Sequence, residues 1–187
     1  MTDKTIKVRV LSIDPGFTNL GATFSIMNLS KGIQHQIQTQ TFNIPKHLKA
    51  YNMHQYANAS KHVIECQAVK DIVGNLLKQH EPDIVVCEKT YMGRFPNAFA
   101  SLTLCINAIE TACFDYDSDM YFITFEPSVI KKANGVSGNS SNKDDITKAL
   151  LANKNIIPCE DIKLFDEHSA DSVAIGFCYL KFSGNIN

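Results

Sequence analysis

The chain has 187 residues, of which 44% are hydrophobic and 20% are charged, and this composition predicts one ordinary globular domain over residues 1–187. Residues 1–8 are polar and charged, and no apolar run approaches the roughly 20 residues that a membrane helix needs. We therefore expect neither a secretion signal nor a membrane partner. The six cysteines form no CxxC pair, which argues against structural zinc and predicts reduced thiols in an intracellular, cytoplasmic protein.

The formal net charge of -1 argues weakly against a nucleic-acid partner, but the charge is unevenly distributed along the chain. Residues 1–100 contain eleven Lys or Arg against seven Asp or Glu, and the remaining residues contain seven against twelve. A nucleic-acid contact would therefore be a local basic patch beside an acidic site.

The first part of the chain predicts three antiparallel strands followed by a long helix and a buried strand. Alternating and β-branched residues place the strands at Lys7–Asp14, Asn19–Met27 and Gly32–Phe42. Apolar residues at helical spacing predict a helix from about Tyr51 to Gln79. The short apolar run Ile84–Glu88 is typical of a strand that is buried on both faces.

The second part alternates helices with one more strand. Its predicted elements are a helix at Ala98–Phe114, a strand at Met120–Phe125, a short helix at Pro127–Lys132, a loop at 133–142, a helix that ends near Asn153, and a last helix from near Asp166 to Lys181. This order predicts an α/β fold, in which a mixed five-stranded sheet is flanked by helices on both faces.

Several carboxylates are expected to meet at one edge of this sheet. Asp14 and Glu88 end two strands that a right-handed crossover would place side by side and parallel. His168 and Asp171 are three residues apart, so they share one face of the last helix at its first turn. Hydrolysis of a phosphodiester by two divalent ions requires carboxylate oxygens as ligands, and Asp14, Glu88 and Asp171 would supply them.

Each of these residues also has a purely structural interpretation. Asp14 precedes Pro-Gly and is a common turn residue, Glu88 can be a solvated strand end, and His168 and Asp171 can cap a helix. Their joint occurrence on this order of elements favours the functional interpretation. Asp166 and Glu167 lie just upstream, and either replaces His168 as the additional ligand if the helix begins earlier.

Several segments resemble the RuvC family of Holliday junction resolvases, and the resemblance runs across nearly the whole chain. The segments are 11–16 with 18–21, 85–88 with 91–94 and 97–98, 127–143, and 168–176. The resemblance implies a ribonuclease H-like fold and metal binding by Asp14, Glu88 and Asp171. His168 stands where many members have Asp; because imidazole suits Mn²⁺ better than Mg²⁺, His168 is either a ligand or the group that orients or deprotonates the attacking water.

The resemblance also implies residues that contact DNA. Tyr91 would stack on bases at the junction, with Arg94 beside it, and Lys131 or Lys132 together with Lys143 would grip the phosphates of the cut strand. The alternatives are a partly buried loop aromatic for Tyr91 and a solvated charged surface for the lysines. The loop at 133–142 would order on DNA.

The function implied is a homodimeric endonuclease that resolves four-way DNA junctions by paired nicks, using two Mg²⁺ or Mn²⁺ ions per site and no nucleotide cofactor. Leu102, Ile106 and Ile109 are expected to form part of the dimer contact. The alternatives are a nuclease for forks or flaps, an actin-like or sugar-kinase-like ATPase, for which a second lobe and a second phosphate loop are missing, and a non-catalytic DNA-binding module. The Asn-, Lys- and Ile-rich composition suits a phage-encoded member.

Overall fold

A computed structural model describes residues 5–49, 51, 58–92, 95–137 and 144–184. Its six strands form one mixed sheet in the spatial order β5-β4-β1-β2-β3-β6. The strands are β1 at Lys7–Asp14, β2 at Asn19–Asn28, β3 at Ile33–Asn43, β4 at Ile84–Glu88, β5 at Tyr121–Phe125 and β6 at Ile156–Ile157. The first three pair antiparallel, and β4, β5 and β6 each pair parallel with their neighbours.

The predicted α/β fold with a mixed sheet flanked by helices is confirmed, with one strand more than expected. The additional strand, β6, has two residues and pairs with Gln34 and His35 of β3. A two-residue strand is too short to show the alternation that reveals a strand in a sequence.

Within the described ranges, six α-helices surround the sheet. They are α1 at Ile44–Leu48, α2 at Lys61–His80, α3 at Pro96–Tyr116, α4 at Pro127–Ala133, α5 at Asp144–Ala152 and α6 at Glu167–Ser183, and a 3-10 turn at Ile162–Leu164 precedes α6. The sequence did not predict α1, and the long helix begins at Lys61 rather than near Tyr51. Ser60, in extended backbone, precedes its first turn.

Two hydrophobic cores lie on opposite faces of the sheet. Leu11 and Ile13 of β1 pack with α2 and α3, whereas Val10 packs with α4, α5 and α6. In β4, Val85 and Cys87 join the first core and Val86 joins the second, and all three are fully buried. The prediction that Ile84–Glu88 is covered on both faces is therefore correct.

Helix α3 packs differently from what the sequence suggested. Ile106 and Ile109, expected at a subunit contact, lie in the core of the same chain, and Leu102 packs partly against that core. The large hydrophobic side chains of α3 that are exposed are Leu104, Phe114 and Tyr116, with relative exposures of 39%, 66% and 37%. The spacing of apolar residues in the sequence located an apolar stripe on α3. It could not show whether the chain's own core or a second subunit covers that stripe.

By length and composition, α3 is also the one helix of the described ranges that could cross a membrane, contrary to the expectation that no such segment exists. Its Cys105, Ile109 and Cys113 are buried in the core that α3 shares with α2. A core helix passes the same test of length and hydropathy, but only 33% of the most apolar window of α3 is buried within the chain, so the shared core accounts for one part of this helix.

A buried polar layer joins α6 to the sheet. Ser172 Oγ lies 2.7 Å from Thr23 Oγ1 of β2 and donates to the carbonyl oxygen of Ser169 at 2.8 Å. At Gly176, a Cβ atom would lie 2.8 Å from Gln34 Nε2 and 2.9 Å from Ser12 Oγ. Buried polar groups are stabilising only when they are paired, so the hydrogen bonds of Ser172 restrict the position of α6 more than apolar packing alone would. The absence of a side chain at Gly176 lets the helix approach Gln34 and Ser12.

Candidate active site

Two of the predicted acidic residues end neighbouring strands. β1 and β4 are parallel, and Ile13 pairs with Cys87 in their register, so the next residues, Asp14 and Glu88, leave the sheet at the same edge. Asp14 also pairs with Gly21 of the antiparallel strand β2. The crossover that was inferred from the order of elements therefore brings these two carboxylates to one place.

The first turn of α6 is held beside this edge by a side-chain cap. Asp166 is the N-cap residue, and its Oδ1 accepts hydrogen bonds from the Ser169 backbone N–H at 2.8 Å and from Thr41 Oγ1 of β3 at 2.6 Å. Burial works to raise the pKa of Asp166, but these hydrogen bonds outweigh it and lower the pKa. Asp166 therefore anchors the helix, which is a different task from the ligand role considered for it.

Gly21 allows α6 to approach the sheet. A Cβ atom at this position would lie 2.1 Å from the carbonyl oxygen of His168, which is closer than any side chain tolerates. Because Gly21 is the partner of Asp14 in the sheet, the absence of a side chain here places the start of α6 directly beside Asp14.

His168 uses that approach to contact Asp14. Its Nδ1 lies 2.8 Å from Oδ2 of Asp14. The hydrogen bond with Asp14 raises the pKa of His168 above its ordinary value. The pKa of Asp14 is also raised, because its burial outweighs the favourable interaction with His168. The two side chains form a carboxylate–imidazole pair at the centre of the site.

Glu88 and Asp171 complete a group of three repelling carboxyl groups. Burial, together with the charges of Asp14 and Asp171, raises the pKa of Glu88 to about 8. Burial, together with the charges of Asp14 and Glu167, raises the pKa of Asp171 to about 7. Glu167 itself is exposed, and its charge also works to raise the pKa values of Asp14 and His168.

Among the lysines and arginines that the structure describes, Lys131 of α4 is the one whose charge acts on both Glu88 and Asp171. Its charge works to lower the pKa of both Glu88 and Asp171. Lys132, the next residue, is exposed. The structure thus distinguishes two lysines that the sequence left as alternatives, and Lys131 is the one within electrostatic range of the acids.

The donor set fits a hard divalent cation. Carboxylate oxygens are the ligands that Mg²⁺ and Mn²⁺ prefer, and burying three acids together is unfavourable unless protons or cations neutralise them. Across the described ranges, no three acidic, histidine or cysteine side chains are already grouped closely enough to hold one metal ion. The site therefore has carboxylate ligands of the type that these ions prefer, but the side chains are farther apart than in a formed metal site, and His168 is hydrogen-bonded to Asp14.

The segment that follows Glu88 is exposed and apolar. Tyr91 is 70% exposed, which contradicts the alternative of a partly buried aromatic. Met92 and Phe95 are exposed to a similar extent and extend the apolar surface, although the sequence analysis did not select them. Their composition is the signal that could have found them, since large apolar residues in a loop are unusual. Arg94, Lys143 and the loop beyond residue 137 lie outside the described residues.

Gly21→Ala tests whether the close approach positions α6. We expect the added methyl group to push the first turn of α6 away from β2, lowering the free energy of unfolding by about 1–3 kcal/mol. The pKa of His168, measured by NMR, would fall towards its ordinary value because the hydrogen bond with Asp14 is lost.

Gly74→Ala on α2 is the matched control, since a Cβ atom there meets nothing within 4 Å. Replacing a glycine inside a helix should leave the unfolding free energy unchanged or raise it by about 0.5–1 kcal/mol. Equal stability and an unchanged His168 pKa in both variants would contradict a positioning role for Gly21.

Neutralising Glu88 should change how stability depends on pH. A carboxyl group whose pKa is higher in the folded state than in the unfolded state binds more protons when folded, so it destabilises the fold as pH rises between the two values. For Glu88 this window runs from 4.5 to about 8. In EDTA, we expect Glu88→Gln to match the parent chain near the lower limit and to exceed its unfolding free energy at the upper limit by on the order of 1–3 kcal/mol.

The measurement is urea denaturation across that pH range, with Glu160→Gln as the control because Glu160 is exposed and lies away from the acids in sequence. Adding Mn²⁺ at the upper limit should stabilise the parent chain more than Glu88→Gln. Parallel pH profiles for the parent chain and Glu88→Gln would show that the acids do not repel one another.

No known family model matches the sequence, and no curated protein matches it either. Solved structures do match. The Thermus thermophilus RuvC structure is 15% identical with a TM-score of 0.69, and the alignment covers 94% of this chain and 95% of that one. The yeast mitochondrial Holliday junction resolvase Ydc2 is 12% identical with a TM-score of 0.65, and the alignment covers 94% and 80% of the two chains.

The fowlpox virus Holliday junction resolvase is also similar in structure. It is 16% identical with a TM-score of 0.55, and the alignment covers 93% of this chain and 99% of that one. At such low identities these likenesses establish the fold. The chain therefore has the ribonuclease H-like fold that RuvC has, as the sequence predicted.

Proposed function

We propose that this protein is a metal-dependent endonuclease that resolves four-way DNA junctions. The observation that carries the proposal is the convergence of Asp14 and Glu88, from neighbouring strand ends, with Asp171 and His168 from the first turn of α6. The solved structures that share the fold include T. thermophilus RuvC in complex with a Holliday junction substrate. Forks and flaps are the other branched substrates that the same site would cut.

Asp14, Glu88 and Asp171 would hold two Mg²⁺ or Mn²⁺ ions. When bound, such ions neutralise charge that develops on the phosphate and stabilise the departing oxygen. The carboxylates bind and position them, and neutralisation by the ions would relieve the repulsion that raises the pKa values of Glu88 and Asp171. The chemistry is hydrolysis, leaving 5′-phosphate and 3′-hydroxyl ends.

His168 would act on the attacking water rather than as a primary ligand. Its Nδ1 is engaged by Asp14 Oδ2 at 2.8 Å, so Nε2 is the ring nitrogen that would take the proton. A carboxylate bonded to one ring nitrogen fixes the ring and raises its basicity, which is consistent with the raised pKa of His168. The pair thereby orients a base beside the metal ligands.

The DNA would lie across the edge that carries the acids. Lys131 is within electrostatic range of Glu88 and Asp171, so it is placed to contact the phosphate that is cut. Lys132, Arg94 and Lys143 would contact flanking phosphates, and Tyr91 would stack on a base at the branch. Local cations beside the acids make DNA binding compatible with a net charge of -1.

Six free thiols accord with the intracellular location that we propose.

A second copy of the chain would pack on the exposed stripe of α3. Leu104 and Phe114 are exposed there, and only 33% of the most apolar window of this helix is buried within the chain. An apolar helix with an uncovered face is typical of subunit contacts. Dimerisation would supply the two active sites that paired nicking of a two-fold-symmetric junction requires.

Substitution of a metal ligand should abolish cutting without preventing binding. We expect Asp14→Asn to reduce cleavage of a labelled synthetic four-way junction by at least a thousandfold in Mg²⁺ or Mn²⁺, because a missing carboxylate removes stabilisation of about 4 kcal/mol or more from the transition state. Junction affinity in EDTA, measured by fluorescence anisotropy, should stay within about threefold of the parent chain.

Asp119→Asn is the control, since Asp119 is exposed in the turn before β5. Forks, flaps and linear duplex are tested beside the four-way junction. Symmetric nicks confined to the junction support resolution, and faster cutting of forks or flaps would redirect the proposal to that substrate. Equal cutting of linear duplex, or cutting in EDTA, would refute it.

Charged substitutions on the exposed stripe of α3 should separate the dimer. We expect the double variant Leu104→Glu, Phe114→Glu to raise the dimer dissociation constant at least tenfold, because two apolar contacts are lost and two like charges are brought together. Sedimentation analysis measures the constant, and Tyr121→Glu, on exposed β5, is the control. A parent chain that is monomeric when bound to the junction would contradict the proposed contact.

A further inference from the structure

A groove with apolar walls lies beside the β1–β2 turn, next to the site of the acids. It has a volume of about 570 Å³, and its lining includes Phe17 of that turn, Leu48 of α1, His62 and Glu65 of α2, and Leu102 of α3. Phe17 is three residues after Asp14 in the sequence. The catalytic mechanism proposed above makes no use of this groove.

Cys105 of α3 connects the groove to the acids. Burial raises the pKa of the Cys105 thiol to about 12, and the charges of both Asp14 and Glu65 add to the shift. The backbone N–H of Gly16, in the β1–β2 turn, donates a hydrogen bond to this thiol. One buried side chain is therefore within electrostatic range of both Asp14 and Glu65.

The wall of the groove contains a buried carboxylate. Glu65 is only 5% exposed. Its Oε1 lies 3.5 Å from Lys61 Nζ, and its Oε2 lies 3.2 Å from His62 Nδ1, so both partners belong to the first turns of α2. A carboxylate has about four acceptor positions, and these two contacts leave acceptor capacity for a ligand that donates.

Ring faces form another part of the lining. The rings of Phe17 and His62 lie 6.2 Å apart between centroids and are inclined by 31°. The aliphatic side chains of Leu48 and Leu102 are further lining groups. The groove thus combines aromatic and aliphatic side chains with the carboxylate of Glu65, and Lys61, Thr18 and Ser101 are its other polar lining residues.

We propose that this groove receives one unpaired nucleobase from the branch point of the bound DNA, with Phe17 against its face and Glu65 accepting from its exocyclic amino group. The inference rests on the proposed function and deepens it, because only a branched or distorted substrate offers an unpaired base here. A carboxylate is a usual acceptor for the cytosine amino group, and Glu65 keeps this capacity beside its partners Lys61 and His62. Thymine has the acceptor O4 at the position of the cytosine amino group and is therefore disfavoured.

Abasic substitution of the junction tests the proposal without cleavage. Each nucleotide near the branch is replaced in turn by an abasic site, and affinity is measured by fluorescence anisotropy in EDTA. For the parent chain, we expect one position at which the missing base weakens binding about tenfold, as loss of one stacked base does. Phe17→Leu keeps an apolar side chain against the core. We expect this variant to bind the intact junction about as weakly as the parent chain binds the abasic junction. An abasic site at the same position should not weaken the binding of Phe17→Leu any further.

Base identity tests the role of Glu65. At the sensitive position, the parent chain should bind a junction with cytosine at least fivefold more tightly than one with thymine, and Glu65→Gln should reduce this preference to about twofold or less, since an amide offers both a donor and an acceptor. Tyr121→Ala and Glu160→Gln are the controls for removing an exposed aromatic and an exposed acid. Circular dichroism verifies that every variant is folded.

The outcomes separate this inference from the proposed function. If the parent chain does not prefer the four-way junction to linear duplex, the proposed function fails and the groove proposal fails with it. If it prefers the junction but tolerates every abasic site, or if Phe17→Leu behaves as Tyr121→Ala does, the groove proposal alone is overturned.

Discussion

The contact between the first turn of α6 and Gly21 of β2, beside the end of β1, is the constraint on which the candidate site depends. Gly21 has no side chain, so the carbonyl oxygen of His168 lies where a Cβ atom would otherwise be. The cap formed by Asp166, Thr41 and Ser169 fixes the same turn from the side of β3. A helix held from two sides in this way places Asp171 and His168 with little freedom, although more than 150 residues separate His168 from Asp14.

That geometry is electrostatically unfavourable for the carboxyl groups, because it buries them close to one another. Burial and mutual repulsion raise the pKa values of Glu88 and Asp171 to about 8 and about 7, so near neutrality the acids hold protons that cations would displace. Any ion that binds the folded chain and not the unfolded chain stabilises the fold by mass action. Under the proposed function, metal binding, stability and pH would therefore be coupled through the same few oxygen atoms.

The sequence predicted those features that depend on strand ends and helix spacing. Asp14 and Glu88 could be placed together because parallel neighbours end at one edge, and His168 and Asp171 because three residues span one helical turn. The sequence could not predict which surface covers the apolar residues of a helix, and the structure was needed for this. Ile106 lies in the chain's own core rather than at a subunit contact, and nothing in the amphipathic pattern of α3 distinguishes these two fates.

The same limit applies to polar residues. Glu65 occupies an ordinary position on α2 in the sequence, and its burial beside Lys61 and His62 follows from the packing of α2 on α3. The two-residue strand β6 and the short helix α1 lack a pattern long enough to detect. Tertiary contacts, rather than local propensity, decide each of these cases.

Under the proposed function, the acidic and basic groups on one edge would make DNA binding depend on their charge. Three carboxylates near a bound phosphate would repel it, and Lys131 offsets only part of that charge. Protons at low pH, or divalent cations at higher pH, remove the remaining repulsion. Under the proposed function, a chain with a net charge of -1 would therefore bind a polyanion locally, because the groups that oppose binding are the ones that divalent cations would neutralise.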